Sequence, residues 1–230
     1  MIQVLRREEK YPLSMGEAIR YSHKFSQILM PDAYSENGSY MVRSLYFDTV
    51  DDKDFFDKMT EQNKRRKIRL RIYSPSDAYA KLEMKQKENI YQKKRSLRIA
   101  REDAERLIAG DYAILLNYPE RFATELYGIL TTEIYRPKSI VEYQRQAFMA
   151  KENNIRLTFD SRIRATESSF DLFSDNLPLS PVYPQDGVVF EVKYDKFLLG
   201  YISDIISMVN TRSISSSKYC LSRTTGYTIN

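Results

Sequence analysis

The sequence of 230 residues contains one cysteine, one histidine and no tryptophan. Because Cys220 has no second cysteine to pair with, an internal disulfide is excluded and a reducing compartment is favoured. The single histidine, His23, excludes a metal site or proton relay built from several histidines. No apolar run reaches the ~18 residues that a transmembrane helix needs. The first residues also lack the cationic-then-apolar order of a signal peptide, so we expect a cytoplasmic protein.

A strong excess of charge of either sign is also lacking. The net charge is +5 and the pI is about 9.1, a mild basic bias that favours an anionic partner without requiring nucleic acid. Hydrophobic residues make up 42% of the chain and charged residues 29%, which is ordinary for a globular protein. Together with the length, this composition predicts one domain over residues 1–230, large enough for a substantial core.

What the sequence does contain is a set of short segments in which charged and apolar residues alternate. Residues 68–72 read Ile-Arg-Leu-Arg-Ile, and residues 81–87, 155–160 and 190–194 follow the same alternation. Since strand side chains point alternately to the two faces of a sheet, each segment predicts a strand with one apolar and one charged face. A single such strand is typical of a sheet that faces water. Several mostly basic ones indicate a closed sheet with a charged interior, which would suit a polyanion and a metal ion.

The remaining patterns complete the prediction of an α+β fold. Ser14 and Glu17 form a capping-box pattern at the start of a helix that we expect to end near Leu29. Gly110 marks the end of a helix predicted at 101–109. Other helices are predicted at 51–59, up to about 130 and at 196–209, and long strands at 2–11, 40–48, 66–73, 79–88, 90–99, 138–149, 154–160 and 187–194. We therefore expect an eight-stranded antiparallel β-barrel flanked by helices, whose interior holds side chains and one narrow ligand.

Several spaced motifs carry a resemblance to a known family. They are residues 8–11 (Glu-Glu-Lys-Tyr), 43–49 (Arg-Ser-Leu-Tyr-Phe-Asp-Thr), 69–71 (Arg-Leu-Arg), 82–85 (Leu-Glu-Met-Lys), 143–148 (Tyr-Gln-Arg-Gln-Ala-Phe), 155–157 (Ile-Arg-Leu) with Asp160, 190–193 (Phe-Glu-Val-Lys) and 217–219 (Ser-Lys-Tyr). In this order they resemble the polyphosphate polymerase domain of the vacuolar transporter chaperone complex over nearly the whole chain. That family belongs to the CYTH-like triphosphate tunnel metalloenzymes, so the resemblance implies an eight-stranded antiparallel tunnel flanked by helices. It also implies transfer of the γ-phosphate of ATP onto a growing polyphosphate chain, with Mn²⁺ or Mg²⁺.

The resemblance assigns roles to individual residues. The basic residues that match catalytic positions are Lys10, Arg69, Arg71, Lys85, Arg145, Arg156 and Lys218, and further phosphate-binding positions are Lys93, Arg95, Lys193 and Ser217. Glu191 matches the metal-binding glutamate, and Glu8 is the second metal ligand that we expect. The run 93–95 (Lys-Lys-Arg) fits either strand register, and we place Lys93 and Arg95 on the charged side.

Two departures from the family pattern bear on function. Related tunnel hydrolases begin with Glu-x-Glu-x-Lys, whereas this chain has Arg6-x-Glu8-x-Lys10, which argues against a two-carboxylate hydrolase. Ser215 stands where the fungal polymerases place a lysine, three residues before Lys218. This second departure puts one polymerase contact in question.

The mix of residues suits phosphoryl transfer, which needs positioning and charge neutralisation more than covalent help from the protein. Arginine offers a planar fork to pairs of phosphate oxygens, and lysine offers a compact point charge. A hard divalent ion needs oxygen ligands, which Glu191 and the triphosphate supply together. The expected partners are ATP and inorganic polyphosphate, and no nucleic acid is expected. A separate membrane protein is a further partner to consider, because the fungal complexes join this domain to membrane helices.

Three functions remain open on these residues. We favour the polymerase. A hydrolase of tripolyphosphate or nucleoside triphosphates is disfavoured by Arg6, and a non-catalytic polyphosphate-binding module is disfavoured by the presence of Glu191. An RNA-binding protein is a weaker fourth alternative, because the basic residues lie within predicted strands rather than on an exposed helix or tail.

Overall fold

The computed structural model of the chain describes residues 6–35, 38–89, 91–209 and 211–224. Its α-helices are α1 (Met15–Ser26), α2 (Lys53–Met59), α3 (Arg101–Ile108), α4 (Arg121–Thr132), α5 (Gly200–Ser207) and α6 (Lys218–Thr224), with 3₁₀ helices at Tyr112–Asn117 and Glu152–Asn154. Its strands are β1 (Arg6–Ser14), β2 (Met30–Pro31), β3 (Tyr40–Thr49), β4 (Lys64–Ile72), β5 (Tyr79–Glu88), β6 (Tyr91–Ala100), β7 (Tyr135–Met149), β8 (Arg156–Thr166), β9 (Ser180–Pro181) and β10 (Gly187–Asp195). The predicted strand residues 2–5 and Ile90 lie outside the described ranges.

The strands form one large antiparallel sheet, which confirms the predicted α+β class. The strand order is β1-β10-β8-β7-β3-β4-β5-β6, with β2 beside β7 and β9 beside β8. Within the described ranges, β1 and β6 end this order and do not pair with each other. The sheet is therefore not closed into a barrel, and the prediction of closure is wrong.

The outer edge of β1 is occupied by the chain that precedes α6. The Ile214 N–H donates to the Lys10 carbonyl at 2.8 Å, and the Thr211 hydroxyl donates to the Pro12 carbonyl at 3.2 Å. Carbonyls two residues apart point to the same side of a strand, so both contacts lie on the edge of β1 that faces away from β10. A strand that closed the barrel would have to pair with this edge of β1. The Lys10 and Pro12 carbonyls on this edge already accept hydrogen bonds, and Pro12 has no N–H to donate.

The chain folds into two compact units, each with its own core. The first unit contains the described parts of 1–41, 143–163 and 183–216. Phe25 of α1 stacks on Phe190 with ring centroids 5.8 Å apart, and Phe159 stacks on Phe190 at 4.6 Å. Ile202 and Ile206 of α5 complete this apolar cluster. Burial of such aromatic and aliphatic side chains is the main stabilising contribution to the unit.

The second unit contains the described parts of 42–142, 164–182 and 217–230. Its core is formed by the apolar faces of β3 to β6 and by residues of α3 and α4, including Leu45, Ile68, Leu82, Ile99 and Leu126. The two units do not test the prediction of a single domain over 1–230, which stays a prediction.

Local chemistry explains where several helices begin and end. The predicted capping box is confirmed: the Glu17 N–H donates to Ser14 Oγ, and the Ser14 N–H donates to Glu17 Oε2. Helix α3 ends just before Gly110, whose φ of 93° favours glycine. Helices α2 and α5 begin later than predicted. Asp52, directly before α2, has a φ of 55°, which lies outside a right-handed helix, and Leu199, directly before α5, is extended with a ψ of 142°. No helix in the described ranges is long and apolar enough to cross a membrane.

Candidate functional site

The charged faces of β3 to β6 in the second unit bring a set of cations together. Tyr46 of β3 lies opposite Arg69 of β4, and Arg69 lies opposite Glu83 of β5. Directly opposed residues of antiparallel strands share a face, while the aliphatic residues that alternate with them are buried on the other face. We call the residues Lys67, Arg69, Arg71, Glu83 and Lys94 the Arg69 cluster.

Glu83 is the centre of the Arg69 cluster. Arg69 Nε and Nη2 each lie 2.7 Å from Glu83 Oε2, and Arg71 Nη1 lies 3.9 Å from the same oxygen. Lys94 Nζ forms an ion pair with the other oxygen, Oε1. The Glu83 side chain is only 4% exposed. Several cations therefore converge on one buried carboxylate, which gives this face the positive potential that an anion site requires.

This crowding of charge changes the pKa of both Glu83 and Lys94. Burial raises the pKa of Glu83, but the charges of Arg69, Arg71 and Lys94 outweigh burial and hold the pKa at about 2. Burial lowers the pKa of Lys94, and because Arg69 and Arg71 act in the same direction, Glu83 does not reverse that decrease. Glu83 thus remains a carboxylate at neutral pH, and the charge on Lys94 is retained less strongly than that of an ordinary lysine.

Three further predicted site residues lie in the same unit, namely Lys85, Ser217 and Lys218. Lys67 Nζ donates to Ser217 Oγ at 2.6 Å, and Ser217 directly precedes α6, whose first residue is Lys218. Lys85 lies opposite Lys67 on one side and Lys94 on the other, so it shares the face of the Arg69 cluster, where it is exposed. The structure therefore brings Ser217 into contact with the cluster and places Lys85 on its face.

The segment that carries Ser217 is anchored through Tyr219. The Tyr219 hydroxyl donates to Asp48 Oδ2 at 2.6 Å, and Asp48 also accepts the backbone N–H groups of Asp54 and Phe55 at 2.9 Å each. One buried carboxylate thereby accepts the free N–H groups in the first turn of α2 and also holds α6 in place through Tyr219.

The face predicted for Lys93 and Arg95 is wrong. In the register of β5 and β6, Arg95 lies opposite Met84, a core residue, and Lys93 shares that side because it is two residues away. Arg95 forms an ion pair with Glu125 of α4, with Nη1 2.5 Å from Oε2. A shift of one residue moves every side chain to the other face, so Lys94 takes the position that we predicted for its neighbours.

In the first unit, β1 and β10 bring two carboxylates and two ammonium groups together. Glu8 lies opposite Lys193, and Lys10 lies opposite Glu191, in agreement with the predicted alternation. Lys10 Nζ lies 3.1 Å from Glu8 Oε1 and 3.4 Å from Glu191 Oε2. Lys193 Nζ forms an ion pair with Glu191 Oε1. We call these four residues the Glu191 cluster.

The two lysines of the Glu191 cluster respond differently to their surroundings. Burial lowers the pKa of Lys10, but the charges of Glu191 and Glu8 outweigh it, so the pKa is raised. For Lys193, burial prevails over Glu191 and Glu8 and the pKa is lowered, with Arg145 acting in the same direction as burial. Lys10 therefore holds its proton more firmly than Lys193 does.

The two carboxylates of the Glu191 cluster fit a hard divalent metal ion that prefers oxygen ligands. Both reach the same ammonium group of Lys10, and carboxylate oxygens are the ligands that Mg²⁺ and Mn²⁺ prefer. The described part of the chain has no group of three or more His, Cys, Asp or Glu side chains that could hold a metal. The donor set thus fits an ion that takes one or two carboxylates and completes its shell with phosphate oxygens and water.

Arg145 and Arg156, also predicted site residues, have carboxylate partners in the first unit. Arg145 Nε and Nη2 each lie 2.7 Å from an oxygen of Asp160, a fully buried side chain. Burial lowers the pKa of Arg145, but the bidentate pair with Asp160 outweighs it and raises the pKa well above its usual range. Arg156 Nη2 donates to Asp32 Oδ2 at 2.6 Å. Their phosphate-binding roles stay predictions.

The two positions that depart from the family pattern both lie in the first unit. Arg6 lies opposite Asp195 in the register of β1 and β10. Ser215 is exposed, and the carbonyl of the next residue, Ser216, accepts a hydrogen bond from Lys10 Nζ at 2.8 Å. A lysine at position 215 would therefore stand one residue away from a contact of the Glu191 cluster.

Four residues on the face of the Arg69 cluster are not among the predicted site residues: Tyr46, Lys67, Glu83 and Lys94. The Tyr46 hydroxyl accepts a hydrogen bond from Arg69 Nη1 at 3.2 Å. The signal for Tyr46 was available, because Ser44, Tyr46 and Asp48 alternate with apolar residues along β3. A signal for Lys94 also existed, because Leu97 and Ile99 alternate with Ser96 and Arg98 and so place Lys94 on the polar face of β6.

Comparisons with known proteins bear on the family and the fold. The sequence model of the VTC domain matches residues 5–227, whereas no curated protein sequence matches the chain. Among solved structures, a protein from Hippeastrum, described as an adenylyl cyclase candidate with a dominant triphosphatase activity, has 12% sequence identity and a TM-score of 0.57, with 95% of each chain covered. An adenylate cyclase candidate from Bacillus halodurans has 11% identity and a TM-score of 0.52, with 93% of each chain covered.

At such low identities, the two structures show a shared fold rather than a shared activity. The family model, in contrast, matches residues 5–227, nearly the whole chain. This protein therefore belongs to the VTC domain family, and it shares its fold with the Hippeastrum and Bacillus halodurans proteins.

Proposed function

We propose that this protein is a polyphosphate polymerase that transfers the γ-phosphate of ATP to the end of a growing inorganic polyphosphate chain. The observation that carries the proposal is the Arg69 cluster, in which cations from adjacent strands converge on one buried carboxylate. Membership of the VTC domain family supports the same conclusion. Phosphoryl transfer depends on positioning and on neutralisation of phosphate charge, and a rigid cation-rich sheet face supplies both.

Arg69 and Arg71 are the proposed phosphate ligands of the Arg69 cluster. Arg69 Nε and Nη2 lie 2.7 Å from Glu83 Oε2. Arg71 Nε donates to Ser44 Oγ at 3.1 Å, and Arg71 Nη1 lies 3.9 Å from Glu83. These contacts keep both guanidinium groups oriented. Two like charges ~6 Å apart repel by roughly 3 kcal/mol at an effective dielectric constant of ~20, so a single carboxylate compensates this face only in part. A triphosphate brings several negative charges, and it would bind by competing with Glu83 for the same donors.

Mn²⁺ or Mg²⁺ is the proposed cofactor, with Glu191 and Glu8 as its protein ligands. Such an ion, when bound, neutralises charge on phosphate oxygens. Lys193, whose pKa is lowered by burial, is the ammonium group that Glu191 would exchange for the ion. Lys10, whose pKa is raised, would continue to hold both carboxylates in place.

The proposed transfer needs no covalent intermediate on the protein. A terminal oxygen of the polyphosphate acceptor attacks the γ-phosphorus, a new P–O bond forms, and the bond from the γ-phosphorus to the bridging oxygen of ADP breaks. The electron pair of that bond leaves with ADP. Arg69 and Arg71 would stabilise the charge on the transferred group, because preformed donors need little reorganisation during the reaction.

Hydrolysis of triphosphates is the second candidate function, with water in place of the polyphosphate acceptor. The dominant triphosphatase activity described for the Hippeastrum protein favours it. The sequence at the start of β1 argues against it, because arginine occupies position 6 where related hydrolases have a glutamate.

Incubation of the purified protein with ATP and Mn²⁺ separates these functions. ADP release is followed in solution, and the products are resolved on a polyphosphate gel. A ladder of long chains with matching ADP is the expected result. ADP with free phosphate and no ladder would establish the hydrolase instead, and tight tripolyphosphate binding without turnover would leave a binding protein.

The variant Glu191→Gln tests the proposed metal ligand. It should lower turnover by at least about 100-fold, since metal-ion stabilisation of phosphoryl transfer is worth several kcal/mol, while tripolyphosphate binding is retained. Loss of the thermal stabilisation by Mn²⁺ in the same variant provides a readout that does not depend on activity. Glu152→Gln, at an exposed position, is the matched control. Full activity of Glu191→Gln would remove the metal assignment.

A further inference from the structure

We infer that the Tyr46 hydroxyl donates a hydrogen bond to a phosphate oxygen of the bound chain, so that Tyr46 is an additional ligand of the anion site. The inference rests on the proposed function of the Arg69 cluster, and it identifies a neutral donor among its charged ones. The ligand class is a phosphoanhydride chain with at least three phosphates.

Two contacts of its ring hold Tyr46 in position. Tyr46 is 5% exposed. Its ring stacks on the Tyr219 ring with centroids 5.1 Å apart and an interplanar angle of 26°, and the Arg69 guanidinium lies 5.9 Å from its centroid. The hydroxyl is therefore held on the face of the Arg69 cluster, where it accepts a hydrogen bond from Arg69 Nη1 at 3.2 Å.

The hydrogen bond from Arg69 leaves the proton of the Tyr46 hydroxyl without an acceptor. A guanidinium group only donates, so Tyr46 is the acceptor in this contact. Among the residues that the structure describes, the Tyr46 hydroxyl has no other hydrogen-bond partner. Buried donors in native proteins are nearly always satisfied. An anion bound on this cation-rich face would supply the acceptor that the buried Tyr46 hydroxyl lacks.

Comparison with Tyr219 and Tyr135 supports this interpretation. The hydroxyls of these residues donate to the carboxylates of Asp48 and Asp54, and burial together with these carboxylates raises the pKa of each phenol. Tyr46 is surrounded by charges of the opposite sign, so it lacks the acceptor that these buried tyrosines have.

The cations also make the Tyr46 phenol a better donor. Burial raises the pKa of Tyr46, but Arg69, Arg71 and Lys67 outweigh it and lower the pKa below the ordinary value of 10. A more acidic proton forms a stronger hydrogen bond to an anionic acceptor. The oxygens of a phosphoanhydride chain are acceptors of this kind.

Calorimetric titration with tripolyphosphate, comparing Tyr46→Phe with the wild-type protein, tests the inference. Phenylalanine keeps the ring that stacks on Tyr219 and removes only the hydroxyl. We expect the dissociation constant to rise by about tenfold or more, the effect of one hydrogen bond to a charged group. Tyr127→Phe, which removes a hydroxyl from a ring packed against the apolar core, should bind as the wild type does.

The outcomes separate the inference from the proposed function. If wild-type protein does not bind tripolyphosphate, the anion site itself is refuted. If the wild type binds and Tyr46→Phe binds equally well, the anion site stands and the role of Tyr46 is refuted. The melting temperature of each variant without ligand establishes that it is folded.

Ionisation of Tyr46 provides a second readout, because it reports whether the anion binds beside this phenol. The ultraviolet absorbance difference between wild type and Tyr46→Phe, followed as a function of pH, isolates the titration of this phenol. Its midpoint should rise when tripolyphosphate is added, because the anion accepts the proton and offsets the charges of Arg69 and Arg71. A midpoint that saturating tripolyphosphate does not move would overturn the inference.

Discussion

Replacement of Glu83 by glutamine would remove the one carboxylate at the centre of the Arg69 cluster. In the folded protein this carboxylate contacts Arg69, Arg71 and Lys94, and its side chain is 4% exposed. The change leaves the volume of the side chain nearly constant, so its effect is electrostatic. We expect the free protein to lose stability and the affinity for tripolyphosphate to increase.

The magnitude follows from the pKa of Glu83. That pKa falls from its usual 4.5 to about 2, and at about 1.4 kcal/mol per pKa unit this difference corresponds to ~3 kcal/mol in the free energy of unfolding. Because the folded-state pKa is depressed, the contribution is complete above about pH 4.5 and is lost as the pH falls towards 2. At neutral pH, Glu83→Gln should lower the melting temperature by roughly 6–12 °C for a chain of this length.

The change in affinity has the opposite sign, because Glu83 competes with the anion. Without the carboxylate, Arg69 and Arg71 are less compensated, and tripolyphosphate should bind on the order of tenfold or more tightly. Thermal melts of wild type and Glu83→Gln, with and without tripolyphosphate, measure both effects in one assay. The ligand should raise the melting temperature of the variant more than that of the wild type.

Glu88→Gln provides the matched control on the same strand. Glu88 is 65% exposed and its oxygen lies 3.6 Å from Lys64 Nζ, so its replacement should change stability by less than about 1 kcal/mol and leave binding unchanged. The reasoning is refuted if Glu83→Gln is as stable as the wild type from pH 2 to 7, or if tripolyphosphate stabilises it less than the wild type.

Three further predictions concern other parts of the second unit. Lys94→Ala should weaken tripolyphosphate binding several-fold. Arg95→Ala should leave binding unchanged and lower the free energy of unfolding by about 0.5–1 kcal/mol. The reverse pattern in calorimetric titrations would favour the strand register predicted from the sequence. Burial and the charge of Asp48 raise the pKa of Asp54 to about 7, so the stability of the wild type should fall as the pH rises from about 4 to 7. Asp54→Asn should be more stable than the wild type by up to ~4 kcal/mol near pH 8 and by little near pH 4. Thermal melts that show the same difference at both pH values would contradict this prediction. Tyr219→Phe removes a buried donor from Asp48 and should cost about 1–3 kcal/mol in denaturant unfolding, and an unchanged unfolding curve would show that this contact does not stabilise α6.

The faces of the strands could be predicted from the sequence because alternation is a local property of an extended chain. Arg69 and Arg71 lie on one face of β4, and Glu191 and Lys193 lie on one face of β10, as the order of charged and apolar residues indicates. The capping box of α1 is equally local, since Ser14 and its partner are three residues apart. The family could be recognised for the same reason, because its motifs are short and local, and the VTC domain model matches residues 5–227.

The features that could not be predicted all depend on residues far apart in the sequence. Barrel closure was decided by the chain around Ile214, which bonds to the outer edge of β1 some two hundred residues away. Alternation shows on which face of a strand a charged residue lies. That the Tyr46 hydroxyl proton lacks an acceptor, and that Glu83 lies among its cations, follows only when several strands pair in one register. The reason is that opposed side chains interact across the sheet and not along the chain.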